Sequence, residues 1–237
     1  MGTQMIVGAL RIKNEPRIAE VVKSLLPICD RVIIFDDHST DDTIARASVA
    51  PGVSVIESPF PETVDESRDK NYLLTAIRKA GPEWVIWIDG DEVLRSRDVP
   101  KLREALEKSR DAASFSFRIC YLWDDDKHIR VDGIYQNFRR ARAFRLHKQP
   151  SGLAFPKTTF GGNFHCSNIP RGLRGGRIHL PVWLKHYGYM EPAERRRKFE
   201  WYNKIDPNNH HEDGYKHIVG RPSRHAPGPV RLVPWIE

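Results

Sequence analysis

A chain of 237 residues with 40% hydrophobic and 29% charged residues is large enough for one sizeable α/β domain or two small ones, with a real core in either case. Its longest apolar runs, Val32–Phe35 and Trp84–Ile88, are strand-sized and fall far short of the roughly 18–20 residues that cross a bilayer. Three scattered cysteines, Cys29, Cys120 and Cys166, with no Cys-x-x-Cys or Cys/His zinc spacing, point to a reducing compartment and against a disulfide framework. Met1–Leu10 has neither a charged start nor a cleavage pattern, so no signal peptide is expected and the chain reads as cytoplasmic. The net charge of +7 divides unevenly. Residues 1–113 hold 16 Lys/Arg against 20 Asp/Glu, and residues 114–237 hold 22 against 11. Nine of the ten histidines and the basic clusters Arg139–Arg145, Arg171–Arg177 and Arg195–Lys198 also lie in the second part. A face of that sign attracts anions: a phosphate-bearing ligand, a polyanion or an anionic membrane surface.

In chain order, Met5–Leu10 reads as a strand, and Pro16 opens a helix whose apolar residues Ile18, Val21, Val22, Leu25 and Leu26 recur at helical spacing. Arg31–Phe35 is the next strand, running into the polar loop Asp36-Asp37-His38-Ser39-Thr40-Asp41-Asp42-Thr43, which is rich in helix-capping residues. A helix over Asp42–Ser48, a strand over Val53–Glu57, a helix over Val64–Lys79 stopped at Gly81-Pro82, and the wholly apolar strand Trp84–Ile88 follow. This β-α-β-α-β-α-β order predicts an α/β fold with a parallel sheet and right-handed crossovers. After a helix over Asp98–Ser109 the pattern changes. Ala112–Trp123 and Ile129–Leu146 read as strand-rich about a polar turn at Asp124–Lys127, residues 147–181 are hard to assign, and Glu191–Ile205 is a helix. From Pro207 onward Pro, Gly, His and Arg dominate, so residues 207–237 are expected to be a tail with little core of its own.

Ligands of parallel sheets bind at the carboxyl ends of the strands, and the acidic groups follow that rule. Asn14-Glu15, Asp36-Asp37, Glu57 and Asp89/Asp91 each come just after a strand. The sharpest signal is Trp84-Val-Ile-Trp-Ile-Asp89-Gly90-Asp91-Glu92. Alternate residues of an extended chain face one way, so the two aspartates can share a site, while Gly90 lets a ligand approach the backbone. Their hard oxygens suit Mn²⁺ or Mg²⁺ bridging to a substrate phosphate. A solvated acidic turn has the same local sequence, but it has no need of a buried strand in front of it. In the second loop Ser39, Thr40 and Asp41 suffice to cap the following helix, which leaves Asp36 and Asp37 for other work.

The ordered set Ile6–Leu10, Asn14-Glu15, Asp30 through Thr43, Arg68-Asp-Lys-Asn71 and Trp84 through Glu92 resembles family-2 glycosyltransferases of the GT-A fold, on the branch that includes bacterial lipopolysaccharide-core and related sugar transferases. The resemblance covers about residues 5–95 and continues loosely through Arg139–Leu146, His165 and Leu184–Tyr189. It implies a single GT-A catalytic domain over 1–206, with a Rossmann-like nucleotide-sugar-binding half in 1–111 and a strand-rich acceptor half in 112–206. The implied reaction is transfer of a sugar from a nucleotide-diphosphate sugar to an acceptor hydroxyl, with inversion. Asn14, Glu15, Asp36 and Asp37 would meet the nucleoside, with Glu57 beside them; Arg68 would contact the donor; Asp89 and Gly90 would approach the ribose and metal. Asp91 would ligate the metal, with His186 as a further ligand. For the base that deprotonates the acceptor, relatives often show His-Glu where this chain has His165-Cys166. That departure leaves His165 itself or one of Asp124, Asp125 and Asp126. The acceptor is a glycan, a lipid-linked saccharide or, given the basic second half, a hydroxylated DNA base.

Two other readings compete. A sugar nucleotidyltransferase also pairs an α/β sheet with an acidic metal site, but Gly8–Arg17 lacks the glycine-rich loop it needs, and no Walker A or Gly-x-Gly-x-x-Gly motif is present. A nucleic-acid-binding module without catalysis would use Trp123, Tyr135, Phe138, Phe144, Trp183, Tyr187 and Tyr189 interleaved with arginines. It leaves the acidic motif without a purpose.

Overall fold

The structure, a computed structural model, describes residues 4–48, 50–157, 166–208 and 213–237. Among the described residues ten strands and five α-helices follow one another, most of the strands joined in one mixed eight-stranded sheet. Its first half is built as the alternation predicts: β1 (Ile6–Ile12), α1 (Ile18–Leu25), β2 (Arg31–Asp36), α2 (Thr43–Ala47), β3 (Val53–Glu57), α3 (Glu66–Ala80) and β4 (Trp84–Trp87). β1 pairs in parallel with β2 and β4, and β2 with β3. Helix α1 buries Ile18, Val21, Val22 and Leu25, a single stripe at helical spacing. Helix α3 starts where Asp65 accepts the amide N–H of Arg68 and ends at Gly81, whose φ of 66° is the left-handed conformation that glycine adopts without strain. Alternation along the strands divides the core. Ile6, Leu10, Ile34 and Ile86 face α1 and α4 (Val99–Lys108) on one side, while Val7, Ala9, Phe35 and Trp87 face α3 on the other.

The second half extends the sheet. β5 (Glu92–Leu94), β6 (Ala112–Tyr121), β8 (Arg139–Arg145) and β9 (Gly176–His186) complete the order β3-β2-β1-β4-β8-β6-β9-β5. The β4–β8, β6–β8 and β5–β9 pairs are antiparallel and β6–β9 is parallel. Two placements follow for the acidic loops. The carboxyl ends of β1, β2 and β4 lie side by side, so Asn14-Glu15, Asp36-Asp37 and Asp89–Asp91 leave the sheet at one edge. β5, a strand too short to show in the sequence pattern, sets Glu92 opposite His186.

Two segments gain detail and one expectation needs correction. The segment Ile129–Leu146 is not a continuous strand region: β7 (His128–Arg130) is followed by a 3-10 turn at Gly133–Gln136 before β8 begins. Residues 147–181 hold the start of β9. The segment after Pro207 contributes core, since Tyr215 and Ile218 are buried against Tyr189, Phe199, Tyr202 and Ile205 of α5 (Pro192–Ile205) and the loop before it. There β10 (Leu232–Pro234) pairs with β7, and Arg130 donates to the carbonyl of His217. Composition hides this packing because the partners are distant in sequence. All three cysteines are buried and free, and no helix among the described residues is long and apolar enough to cross a membrane.

Candidate active site

A cleft of 2620 Å³ opens along the edge where β1, β2 and β4 end, and Asn14, Glu15, Asp37, Asp89, Gly90, Asp91 and His186 all line it. The β1–α1 loop is stitched to the β2–α2 loop by side chains. Thr40 N–H donates to Asn14 Oδ1 at 2.8 Å, Asn14 N–H to Ser39 Oγ at 2.9 Å, and Glu15 N–H to Thr43 Oγ1 at 2.9 Å. Asn14 accordingly holds a positive φ of 50°. Beside this junction Asp37 is held through one oxygen by Arg11, which also donates to Asp69 of α3. The other oxygen, Oδ1, is buried and has no hydrogen-bond partner. Asp36 is bound through Oδ2 by the Ser39 amide, and its Oδ1 is likewise buried and unpartnered. Buried carboxylate oxygens without donors are costly unless a ligand completes them.

The Asp-x-Asp motif is held from both halves of the chain. Asp89 Oδ2 accepts from Arg142 of β8 at 2.7 Å, and its Oδ1 accepts from Asn168 at 2.7 Å. Arg142 also grips the wholly buried Glu92 through two bonds of 2.8 and 2.6 Å. Asn168 is fixed in turn by Lys70 of α3, whose ammonium donates to Asn168 Oδ1 and to the carbonyl of Cys166. Asp91 Oδ2 accepts from Lys198 of α5 at 3.0 Å, and Asp91 Oδ1 lies 3.6 Å from His186 Nε2, too far for a hydrogen bond. His186 Nδ1 is buried without a partner. Two glycines make the crowding possible. A methyl on Gly90 would come within 2.7 Å of Glu15 Cγ, and one on Gly188 would overlap Asp91 Oδ2 and Lys198 Nζ.

Charge within this cluster is set by burial and proximity. Burial opposes ionisation of Asp91, but His186 and Lys198 overcome it and hold the carboxyl well below the usual carboxylate range. Burial lowers the His186 pKa despite the neighbouring Asp91, which favours the neutral imidazole that a metal ligand needs. Glu15 moves the other way: burial first, then the charge of Asp91, push it up to about 8.

The family model for glycosyl transferase family 2 matches residues 11–165, more than half of the chain and the part that supplies both acidic loops. The chain belongs to glycosyl transferase family 2. This family-2 chain is 27% identical over 215 residues to an uncharacterized protein of Mycobacterium tuberculosis, an alignment covering 86% of the chain and 51% of the relative. The chain thus spans about half the length of that relative. It is 34% identical over 93 residues to an uncharacterized glycosyltransferase of Rickettsia conorii, covering 39% and 30% of the two chains. Among solved structures, glucosyl-3-phosphoglycerate synthase from M. tuberculosis in complex with phosphoglyceric acid superposes with a TM-score of 0.50 at 17% identity, over 93% of this chain and 82% of that one. The likeness is one of fold: an α/β, GT-A-type sheet with a Rossmann-like first half.

Other candidates of this family-2 chain fall elsewhere. Glu57 is exposed at the end of the edge strand β3 and does not line the cleft. Arg68 is turned away: it donates to Thr63 and Asp69 and stacks on Phe60 at 4.5 Å. Residues 66 and 70 lie one turn apart and share the helix face that meets the cleft, whereas residue 68 is about 200° round the helix from residue 66. Asp36 sits behind Asp37 and does not line the cleft itself. None of Asp124, Asp125 and Asp126 lines it either. Asp124 is paired with Arg195, Asp125 caps its own turn and binds His128, and Asp126 is exposed. His165 lies outside the described residues. Sequence reasoning overlooked Arg142, Asn168, Lys70 and Lys198. Arg142 and Lys198 stand inside basic clusters whose composition was noticed, but nothing local separates them from their neighbours.

Proposed function

We propose that this protein transfers a sugar from a nucleotide-diphosphate sugar to an acceptor hydroxyl, with inversion, assisted by Mn²⁺ or Mg²⁺. The observation that supports it best is the meeting of Asp91 with His186 beside Asp89, in the cleft that Asp37 also lines. Among the described residues no three His, Cys, Asp or Glu side chains converge into a ready cage for a metal. A small hard cation is commonly held by one or two carboxylates together with substrate phosphates. Asp91 and His186 are the residues that would hold it. Asp89 is less suited, because both its oxygens are taken by Arg142 and Asn168. When bound, the ion offsets the charge that develops on the leaving diphosphate.

The chain's own groups do the rest. Asp37 lines the cleft and has one carboxylate oxygen without a donor, and it is the group that would meet a base N–H or a ribose hydroxyl of the nucleoside. Arg142 and Asn168 fix Asp89 so that it reaches the ribose without rearranging, which is preorganisation in the sense that matters for catalysis. Arg139, Arg177 and His179 also line the cleft, and their charge favours an acceptor carrying negative charge. Of the candidates for removal of the acceptor proton, Asp124, Asp125 and Asp126 do not line the cleft, and His165 is the one carried forward in this proposal.

The test is thermal stability against a panel of nucleoside diphosphates with and without Mn²⁺. A ligand at about 100 times its Kd that binds only the folded chain adds about 2.7 kcal/mol. One nucleotide is expected to give a Mn²⁺-dependent shift that Asp91→Asn removes and Asp37→Asn weakens. If no nucleotide shifts the folded protein, the donor reading fails.

A further inference from the structure

Lys198 touches the Asp-x-Asp motif, and the reaction above leaves it without a task. Its ammonium donates to Asp91 Oδ2 at 3.0 Å. It thus stands on the carboxylate that a divalent ion would need. The contact is built into the fold. Gly188 has no side chain where one would collide with both Asp91 Oδ2 and Lys198 Nζ. α5 is docked next to it by Arg195, which donates to the carbonyls of Tyr189 and Met190 and pairs with Asp124.

We infer that Lys198 is a resident counter-cation which competes with the divalent ion for Asp91, and that arrival of the donor's diphosphate relieves the competition by offering the ammonium a phosphate oxygen instead. The inference rests on the metal-assisted transfer proposed above. A lysine suits the exchange because its charge sits at the end of a flexible four-carbon stem, so it can turn from one acceptor to another without moving the helix. In the nucleotide-free chain a metal would have Asp91 and His186 as protein ligands and a fixed positive charge at hydrogen-bond distance from one of them. With a diphosphate present, the phosphate oxygens supply ligands to the metal and an acceptor to Lys198 at once. Metal and diphosphate then strengthen each other's binding by the same factor, as linkage requires. Free metal is held weakly, and the site is completed only when the donor arrives.

The experiment is titration of the nucleotide-free full chain with Mn²⁺, free ion being read by electron paramagnetic resonance. The variants are Lys198→Met, which keeps the apolar stem and removes the charge, Lys198→Arg, which keeps a cation, and Asp91→Asn. Lys198→Met is expected to bind Mn²⁺ roughly ten- to a hundredfold more tightly than wild type, the equivalent of one charge-assisted hydrogen bond no longer broken. Lys198→Arg should stay near the wild-type affinity, and Asp91→Asn should lose binding. Equal affinities in wild type and Lys198→Met, with unchanged circular dichroism and unfolding midpoints, would overturn the inference, as would absence of Mn²⁺ binding in both. The titration uses no nucleotide, so it separates from the donor test. Tighter Mn²⁺ binding in Lys198→Met with no nucleotide bound by any form keeps the competition and removes the donor reading. Nucleotide binding with equal Mn²⁺ affinities does the reverse.

Discussion

Replacing Arg142 by methionine removes the cation shared by Asp89 and Glu92. Arg142 makes bonds of 2.8 and 2.6 Å to Glu92 and one of 2.7 Å to Asp89, with 9% of its own side chain and none of the Glu92 side chain exposed. Breaking a buried pair from one side costs about 3–5 kcal/mol, because the remaining charge is left without a partner. Glu92 keeps one donor, the Asp89 amide at 3.1 Å, so the lower end of that range applies. At about 3 kcal/mol, for a chain of this length, that is a fall of about 6–12 °C in Tm. The cost also depends on pH. Burial pushes Glu92 up to about 7 even with Arg142 present, and higher without it. The folded variant therefore holds a proton on Glu92 that the unfolded chain has released, and its deficit against wild type should grow between pH 6 and pH 8. Urea unfolding followed by circular dichroism at the two pH values measures this. Adding Glu92→Gln to Arg142→Met should recover most of the loss, since the unpaired carboxylate is then gone. A single variant that loses less than about 1 kcal/mol, or a double variant that loses the sum of the two single changes, would refute the reasoning.

Glu15, raised to about 8 by burial and by Asp91 from an ordinary value of 4.5, takes up a proton on folding anywhere between those values. Stability should therefore fall as pH rises from about 4.5 to 8, by on the order of 2–4 kcal/mol, and Glu15→Gln should remove the slope; urea midpoints that move equally with pH in both proteins would contradict this. Gly188→Ala forces a methyl into Asp91 and Lys198. Its expected cost is about 1–3 kcal/mol of stability, together with loss of the Mn²⁺-dependent nucleotide shift, both read in one thermal-unfolding series; an unchanged pair of values would mean that the contact is looser than described.

The first half of the fold was legible in the residue order because its signals are local. Apolar strands, helical stripes such as Ile18–Leu25 and stop signals such as Gly81 each act within a few residues, and a β-α alternation admits few topologies. The acidic loops were legible for the same reason: Asp37, Asp89 and Asp91 stand directly after strands, and parallel strands bring their carboxyl ends to one edge. The partners of those carboxylates were not. Arg142 and Asn168 lie 53 and 79 residues from Asp89, and Lys198 lies 107 residues from Asp91. A basic cluster does not say which of its cations will be turned inward. Arg68 and Lys70 differ by two positions on one helix, and only the face on which α3 docks decides that Lys70 enters the network and Arg68 does not. The segment after Pro207 looked like a tail because Tyr215 and Ile218 stand in a stretch dominated by Pro, Gly, His and Arg; they find their packing partners on α5. The chain alone determined which backbone segments become strands and where carboxylates leave them. The tertiary structure decided which charges meet, because pairing depends on distance in space and the sequence orders groups only along the chain.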